Sequence, residues 1–280
     1  RLSKEMVASY ELSGYLLTPD VLSQEEIENY GAAVDAEVGI RTFKDKRSVS
    51  EKSLYEQSFI QCMRLWETSE EIRPLSCHSS LAGIAAQLMQ VDSVRMWQDQ
   101  ALYKEPGGLE TTPHQDQTFW PIGDEPLVSA WIPFEDVTLQ NGAMAYVPGS
   151  HKAGRLKVVD ITHSTDPYKI LNDSALRGRM PEYVEARAGS VIWHHGLTVH
   201  QAASNQSEKV RRVFTVVYIS SEAKRVKSWP AFPLDREHIE VGGQIRGNGM
   251  PILWPPQGQL PDAPEIVRES TGPQFRTKAD

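Results

Sequence analysis

Apolar positions along the chain fall into two regimes. In the first third they recur three and four residues apart, the spacing that collects them on one face of a helix. Ile27, Tyr30, Ala33 and Val34 follow this pattern in a segment running to about Val38. Ser23-Gln24-Glu25-Glu26 supplies its start, a capping box with Ser23 as N-cap and Glu26 at N3. Leu81, Ile84, Ala85 and Leu88 repeat the pattern and predict a second helix over Ser79 to Gln90. Gly14-Tyr15-Leu16-Leu17 reads as a brief strand. From Val94 onward the texture changes to short runs rich in β-branched and aromatic residues, punctuated by Gly and Pro.

The strands predicted there are Val94–Lys104 (ended by Glu105-Pro106-Gly107-Gly108), Leu127–Phe134, Ala143–Val147, Gly189–Trp193 and Val213–Ile219. Asn141-Gly142 predicts a hairpin turn leading into the third of them. Such a series implies a mainly β protein with flanking α-helices, built as a sandwich or jelly roll. Residues 151–188 are longer and irregular, and are expected to form an insertion over one end of the barrel. The expected organisation is one domain over 1–280: a helix-rich part to about 93, a β core over 94–220 and an irregular C-terminal part over 221–280. No internal repeat or low-complexity tract is present.

Composition narrows the class. The 280 residues are 40% hydrophobic and 24% charged, which is ordinary for a soluble globular protein. A net charge of -8 argues against nucleic acid or an anionic membrane surface as the main partner. Cys62 and Cys77 are the two cysteines, without a C-x-x-C, so neither a disulfide scaffold nor a zinc ribbon is expected. They read as reduced thiols in a cytoplasmic protein. No apolar run approaches the roughly 18–20 residues of a membrane span, and no signal-peptide pattern opens the sequence. Residues 41–52 are polar and mainly basic. They read either as a solvated connection or as a mobile lid that meets an anionic group.

The candidate chemistry lies in Thr111-Thr112-Pro113-His114-Gln115-Asp116. In an extended segment His114 and Asp116 leave the same face. One imidazole and one carboxylate make two thirds of a 2-His-1-carboxylate facial triad, which leaves positions open on a non-haem Fe(II). The remaining histidines are His78, His151, His163, His194, His195, His200 and His238. His78 precedes a helix, His151 follows a Pro-Gly-Ser turn and His238 lies in the irregular tail. These read as structural or solvent-exposed. His194, His195 and His200 follow the strand at Val191-Ile192, and spacing alone does not choose among them.

His114-Gln-Asp116, Trp131, Asn141-Gly142, Val147-Pro-Gly-Ser-His-Lys152, and His200 followed by Asn205 and Arg211 together resemble the phytanoyl-CoA dioxygenase family of Fe(II)/2-oxoglutarate oxygenases. The likeness extends over about residues 10 to 255. It implies a double-stranded β-helix, a cupin-like jelly roll. It also implies His114, Asp116 and His200 as ligands of Fe(II), with 2-oxoglutarate as cosubstrate and O2 as oxidant. The family's cosubstrate arginine falls on Arg211, whose planar fork suits a carboxylate. Arg211, Val213, Thr215 and Val217 would share a strand face while Arg212 points away; a bulge would exchange the two arginines. Gln98 matches a position that hydrogen-bonds the cosubstrate, and Trp131 one that packs near it.

The resemblance implies a dioxygenase that hydroxylates an unactivated C–H of a small organic molecule, releasing succinate and CO2. Related halogenases have a small residue where Asp116 stands, so the carboxylate favours hydroxylation. The alternatives are a cupin-type metal isomerase and a non-catalytic jelly-roll binding module. An anionic or acyl-type substrate would follow if residues 41–52 form a lid. Phe119, Trp120, Trp193, Trp229 and Trp254 are candidates for an aromatic pocket. The oligomeric state is not legible.

Overall fold

The computed structural model describes residues 1–161 and 168–271; His163 lies outside them. In chain order the elements are α1 (Lys4–Ser13), β1 (Tyr15–Thr18), α2 (Gln24–Thr42), α3 (Leu54–Ser58), β2 (Ile60–Met63), α4 (Arg73–Ser76), α5 (Ser79–Met89) and β3 (Val94–Lys104). They continue as β4 (Thr111–His114), β5 (Leu127–Pro133), β6 (Met144–Tyr146), β7 (Glu182–Val184), β8 (Val191–His195), β9 (His200–Ala202), β10 (Arg211–Ser220), α6 (Phe232–Asp235), β11 (Ile252–Trp254) and β12 (Ser270–Thr271).

The capping box forms as predicted. Ser23 Oγ accepts from the Glu26 amide at 3.2 Å, and the Glu26 carboxylate accepts from the Ser23 amide at 2.8 Å. The helix it starts runs past Val38 to Thr42. Helix α1 left no periodic signal, because Tyr10 is its one buried side chain. Leu81, Ala85 and Leu88 of α5 pack with Ile27 and Val34 of α2 in one core cluster.

Two antiparallel sheets face each other. The larger runs β1-β8-β5-β10-β3-β2-β12, with β11 also on β3; the smaller runs β4-β9-β6-β7. Strand β10 lies between β5 and β3 and is buried along its length. Phe214, Val216 and Tyr218 join the helical layer on one side. Val213 on the other side packs with Trp131, Ile192, Met144 and Tyr146 between the sheets. Central strands covered on both faces read as continuous apolar runs, which is why β3, β5, β8 and β10 of the larger sheet were legible.

The smaller sheet departs from expectation. Asn141-Gly142 does not close a hairpin, since β6 pairs with β7 and β9 and not with β5. The Asn141 side chain caps the Thr138 amide at 2.8 Å in a single 3-10 turn, and the chain crosses between sheets there. Strand β7 takes the end of the expected insertion into the smaller sheet. The C-terminal part, expected to be irregular, contributes β11 and β12 to the larger sheet. Cys62 and Cys77 are free and buried, and burial pushes their thiols up to about 11 and about 12. Among the described residues no helix is long and apolar enough to cross a membrane.

Candidate metal centre and its cavity

Strands β4 and β9 pair so that His114 stands opposite His200. Gln115 is extended at φ −114°, ψ 125°, so His114 and Asp116 leave the same side. The Gln115 amide turns away and donates to the carbonyls of Leu197 and Gly154, both at 2.8 Å. The expected strand stops at His114, and Asp116 opens a 3-10 turn instead. His114 Nε2 lies 3.2 Å and His200 Nε2 3.4 Å from Asp116 Oδ1, and the three donor atoms lie within 4.8 Å of one another.

Each imidazole is fixed from behind. His114 Nδ1 bonds the Thr112 carbonyl at 2.6 Å, and His200 Nδ1 bonds the Thr198 carbonyl at 2.9 Å. A carbonyl only accepts, so each Nδ1 carries a proton, and each Nε2 is the nitrogen that would give its lone pair to a metal bound at the centre. Burial alone would raise the Asp116 carboxyl, but His200, His114 and His194 together hold it well below the usual carboxylate range.

The structure also separates the three histidines that spacing left open. His194 and His195 are consecutive on β8 and point to opposite sides. His194 Nε2 meets Asp116 Oδ2 at 3.0 Å, where the Ser129 hydroxyl also approaches at 3.4 Å. Its Nδ1 lies 3.3 Å from the Tyr146 hydroxyl. Burial holds His194 down to about 4, so the ring is neutral. Its single proton then belongs on Nε2, donated to Oδ2, while Nδ1 accepts from Tyr146. Oδ2 is thus engaged, and Oδ1 faces the two imidazoles. His195 Nδ1 accepts from the Leu197 amide at 3.0 Å, outside the cluster. His151 bonds the Glu11 carbonyl, His78 faces Glu26 and His238 is exposed.

The cluster opens into a cavity of about 450 Å³ between the sheets, which Arg211, Gln98, Trp131 and Thr215 also line. Arg211 is 3% exposed, donates Nη1 to the Gly142 carbonyl at 2.8 Å and Nη2 to the Leu102 carbonyl at 3.2 Å, and lies 5.4 Å over Trp131. Gly142 is needed at that corner because its φ is +106° and a Cβ would come within 3.0 Å of the Lys104 side chain. Arg211 Nε and the Thr215 hydroxyl are buried without a partner among the described residues. Burial lowers Arg211 to about 10, so it remains a cation at neutral pH. Arg212 points out to Asp35 at 2.6 Å and Glu135 at 3.0 Å.

The bulge considered near Arg211 lies elsewhere. Val217 pairs with Gln98 but Tyr218 with Met96, so Trp97 is the extra residue of β3. This brings both Trp97 and Gln98 to the cavity wall. Sequence reading missed a polar string there: Tyr55 donates to Gln61 at 2.9 Å, and Gln61 donates to Gln100 at 2.6 Å. Period-two alternation along β3 would have marked Gln100 beside Gln98. Phe119 and Trp120 line the cavity as expected, whereas Trp193, Trp229 and Trp254 do not. Trp193 is core and donates to Thr18 Oγ1 at 2.8 Å. None of residues 41–52 lines it either; within that segment Arg47 pairs with Asp45 and Glu56, and Lys52 with Glu105.

The model of the family described as Phytanoyl-CoA dioxygenase (PhyH) matches residues 10–213. The chain belongs to the phytanoyl-CoA dioxygenase family. A relative named "Phytanoyl-CoA dioxygenase" from Arabidopsis thaliana is 27% identical over 194 residues, covering 64% of this chain and 65% of that protein, just under two thirds of its length. Among solved structures, the non-heme alpha ketoglutarate dependent carbocyclase SnoK from nogalamycin biosynthesis superposes with a TM-score of 0.72 at 29% identity, over 90% of this chain and 96% of that one. The non-heme alpha ketoglutarate dependent epimerase SnoN from the same biosynthesis gives a TM-score of 0.72 at 26% identity, over 89% and 97%. The two-sheet architecture is accordingly the jelly roll of this family's Fe/2-oxoglutarate oxygenases.

Proposed function

We propose that this family member is an Fe(II)/2-oxoglutarate-dependent oxygenase acting on a small organic molecule, with His114, Asp116 and His200 as the metal ligands. The observation that carries the reading is the oriented donor set. Two imidazole Nε2 atoms and one carboxylate oxygen converge, and each ligand is held by a bond on its far side. Two imidazoles and a carboxylate on one side of the ion, with the cavity on the other, suit a non-haem Fe(II). Fe(II) bound there supplies the redox chemistry, coupling oxidation of a substrate C–H to conversion of 2-oxoglutarate and O2 into succinate and CO2.

The residues of the chain bind, orient and exclude water. Arg211 presents a buried guanidinium with three of its five N–H groups unspent, and the unpartnered Thr215 hydroxyl stands four residues along on the same strand face. We assign these two to the far carboxylate of 2-oxoglutarate, with Trp131 fixing the guanidinium plane and Gln98 donating to the cosubstrate from β3. Asp116 Oδ1 is the coordinating oxygen because His194 and Ser129 engage Oδ2.

Hydroxylation of an unactivated C–H is the leading outcome. The likeness to a carbocyclase and an epimerase favours a second, in which the substrate carbon is oxidised or inverted without gaining oxygen. Product mass separates them: hydroxylation adds one oxygen atom to the substrate, inversion leaves its formula unchanged, and oxidative ring closure removes two hydrogens. The test of the common reading is anaerobic titration of metal-free protein with Fe(II) and then 2-oxoglutarate. A visible metal-to-ligand charge-transfer band is expected, and iron binding without the band would move the metal-isomerase reading ahead.

His194 gives a graded prediction. His194→Phe should keep the fold and the three ligands but release Oδ2, costing about 10–100-fold in Fe(II) affinity, the usual price of an outer-shell partner. Metal titration of the folded variant reads this, and an unchanged affinity would mean that Oδ2 needs no restraint.

A further inference from the structure

A second arginine in the cavity wall is as unpaired as Arg211 and has no part in the reading so far. Arg64 follows the last residue of β2 in the left-handed region, at φ 54°, ψ 48°. An L side chain enters that region at a cost, and such strain collects where a side chain must be aimed. The Arg64 amide is tied to the Asp99 carbonyl at 2.9 Å, which holds the turn in place. The residue is 2% exposed and lines the cavity together with Phe232, whose ring centre lies 5.0 Å from the guanidinium carbon.

Among the described residues no carboxylate is hydrogen-bonded or ion-paired to its guanidinium, although Glu67 and Asp99 lie near. Among the described residues the one hydrogen bond from its side chain runs from Nη2 to the Arg268 carbonyl at 3.1 Å, and Nε is buried without a partner. The nearby acids are committed elsewhere. Glu67 holds Arg236 through both oxygens, at 2.6 and 2.8 Å. Asp99 accepts from the amides of Leu65 and Trp66 and from the Ser76 hydroxyl. Arg236 and Arg268 also stand over Phe232, at 5.0 and 5.9 Å. Arg64 therefore lines this end of the cavity with no carboxylate bonded to its guanidinium among the described residues, in a chain whose net charge is -8. Burial lowers Arg64 to about 10, so it is charged at neutral pH. A buried cation without a counter-ion is costly unless a ligand supplies one.

Arg64 and Arg211 enter the cavity wall from different places on the sheet. Arg211 is paired with Lys104 and Arg64 is bonded at Asp99, five positions apart on β3, or about 17 Å along the strand. The wall of the same cavity also carries Phe59, Trp97, Phe119 and Trp120. We propose that Arg64 anchors an anionic group of the substrate, and that the substrate is a mainly apolar, ring-bearing organic acid whose reacting carbon is held at the His114 end. The proposal rests on the oxygenase reading for what happens at that carbon, but the anion site itself is tested without turnover.

The probe pair is anthracene-2-carboxylate and 2-(hydroxymethyl)anthracene, which share a tricyclic body and differ in charge. Binding is followed by anthracene fluorescence in the full chain with Ni(II) and saturating 2-oxoglutarate, so that Arg211 is occupied. The wild type is expected to hold the acid at least about tenfold tighter than the alcohol, the scale of a charge-assisted hydrogen bond. Arg64→Gln should lower acid affinity by about 10–100-fold and leave the alcohol unchanged, and Arg64→Lys should recover part of the loss. The proposal is overturned by equal binding of acid and alcohol to the wild type, by a preference that survives in Arg64→Gln, or by one lost only in Arg211→Gln. If Arg64→Gln fails to fold by thermal melting, the wild-type ratio and Arg64→Lys decide between the same outcomes. Calorimetry of 2-oxoglutarate on the Ni(II)-loaded wild type reports the oxygenase reading separately.

Discussion

Arg211→Gln should weaken 2-oxoglutarate binding by about 100-fold or more while Fe(II) still binds. The guanidinium is buried, and its Nη groups are pinned by the Gly142 and Leu102 carbonyls. Its position is therefore set before any ligand arrives, and an incoming carboxylate meets a cation that has already lost its water. A hydrogen bond to a charged group in such a place contributes about 1.5–3 kcal/mol, and a fork that makes two contributes correspondingly more. Glutamine retains one donor group and no charge, and it cannot reach both carbonyls. Arg211→Lys keeps the charge but not the fork, so it should fall between the two. Anaerobic titration with 2-oxoglutarate, read by the charge-transfer band at saturating Fe(II), measures all three proteins. An affinity unchanged in Arg211→Gln would remove this residue from the cosubstrate site. Loss of Fe(II) binding as well would show that the variant had damaged the smaller sheet.

The parts of the molecule that were legible and those that were not divide along physical lines. Strand β3 matches its predicted span, and β5 and β10 differ from theirs by a residue or two, because burial on both faces makes such strands continuous apolar runs. The capping box of α2 is local chemistry within four residues and needs no tertiary context. Strands β4, β7 and β9 are three or four residues each, too short for a period to show, yet β4 and β9 carry His114 and His200; of the smaller sheet only β6 was legible, within Ala143–Val147. The pairing of His114 with His200 is a register fact that no local pattern encodes. The same holds for the choice among His194, His195 and His200. The alternation of β8 separates the first two, and only the approach of Asp116 shows that His194 meets the oxygen turned away from the other imidazoles. Arg211 was the residue that the family resemblance implied; strand alternation put Arg212 on the opposite face and Thr215 on the same one, and the absence of a bulge at that point leaves Arg211 in the cavity wall. Arg64 gave no signal at all, since a left-handed arginine after a short strand becomes visible only when its missing counter-ion can be seen.

Alanine at His200 should abolish the Fe(II) site altogether, and Ala at His114 or Asp116 should do the same. Metal binding at a site of a few protein ligands totals about 10–16 kcal/mol in structural zinc centres, or roughly 3 kcal/mol or more per ligand. Removing one ligand from a set of three should therefore cost more than about 100-fold, and the charge-transfer band should vanish at any practical iron concentration. The loss at Asp116 has a further consequence. In the metal-free protein its carboxylate sits against three imidazoles, at 3.2, 3.0 and 3.4 Å, and the attraction raises the His200 imidazole above its ordinary value in spite of burial. Asp116→Ala leaves three buried rings with no acceptor between them, so it should lower thermal stability as well as metal affinity. His200→Ala removes one ring and leaves His114 and His194 to satisfy the carboxylate, so its melting temperature should fall less. The two variants thus lose iron alike but separate in stability. Equal melting temperatures would mean that the carboxylate contributes to this site only through the metal.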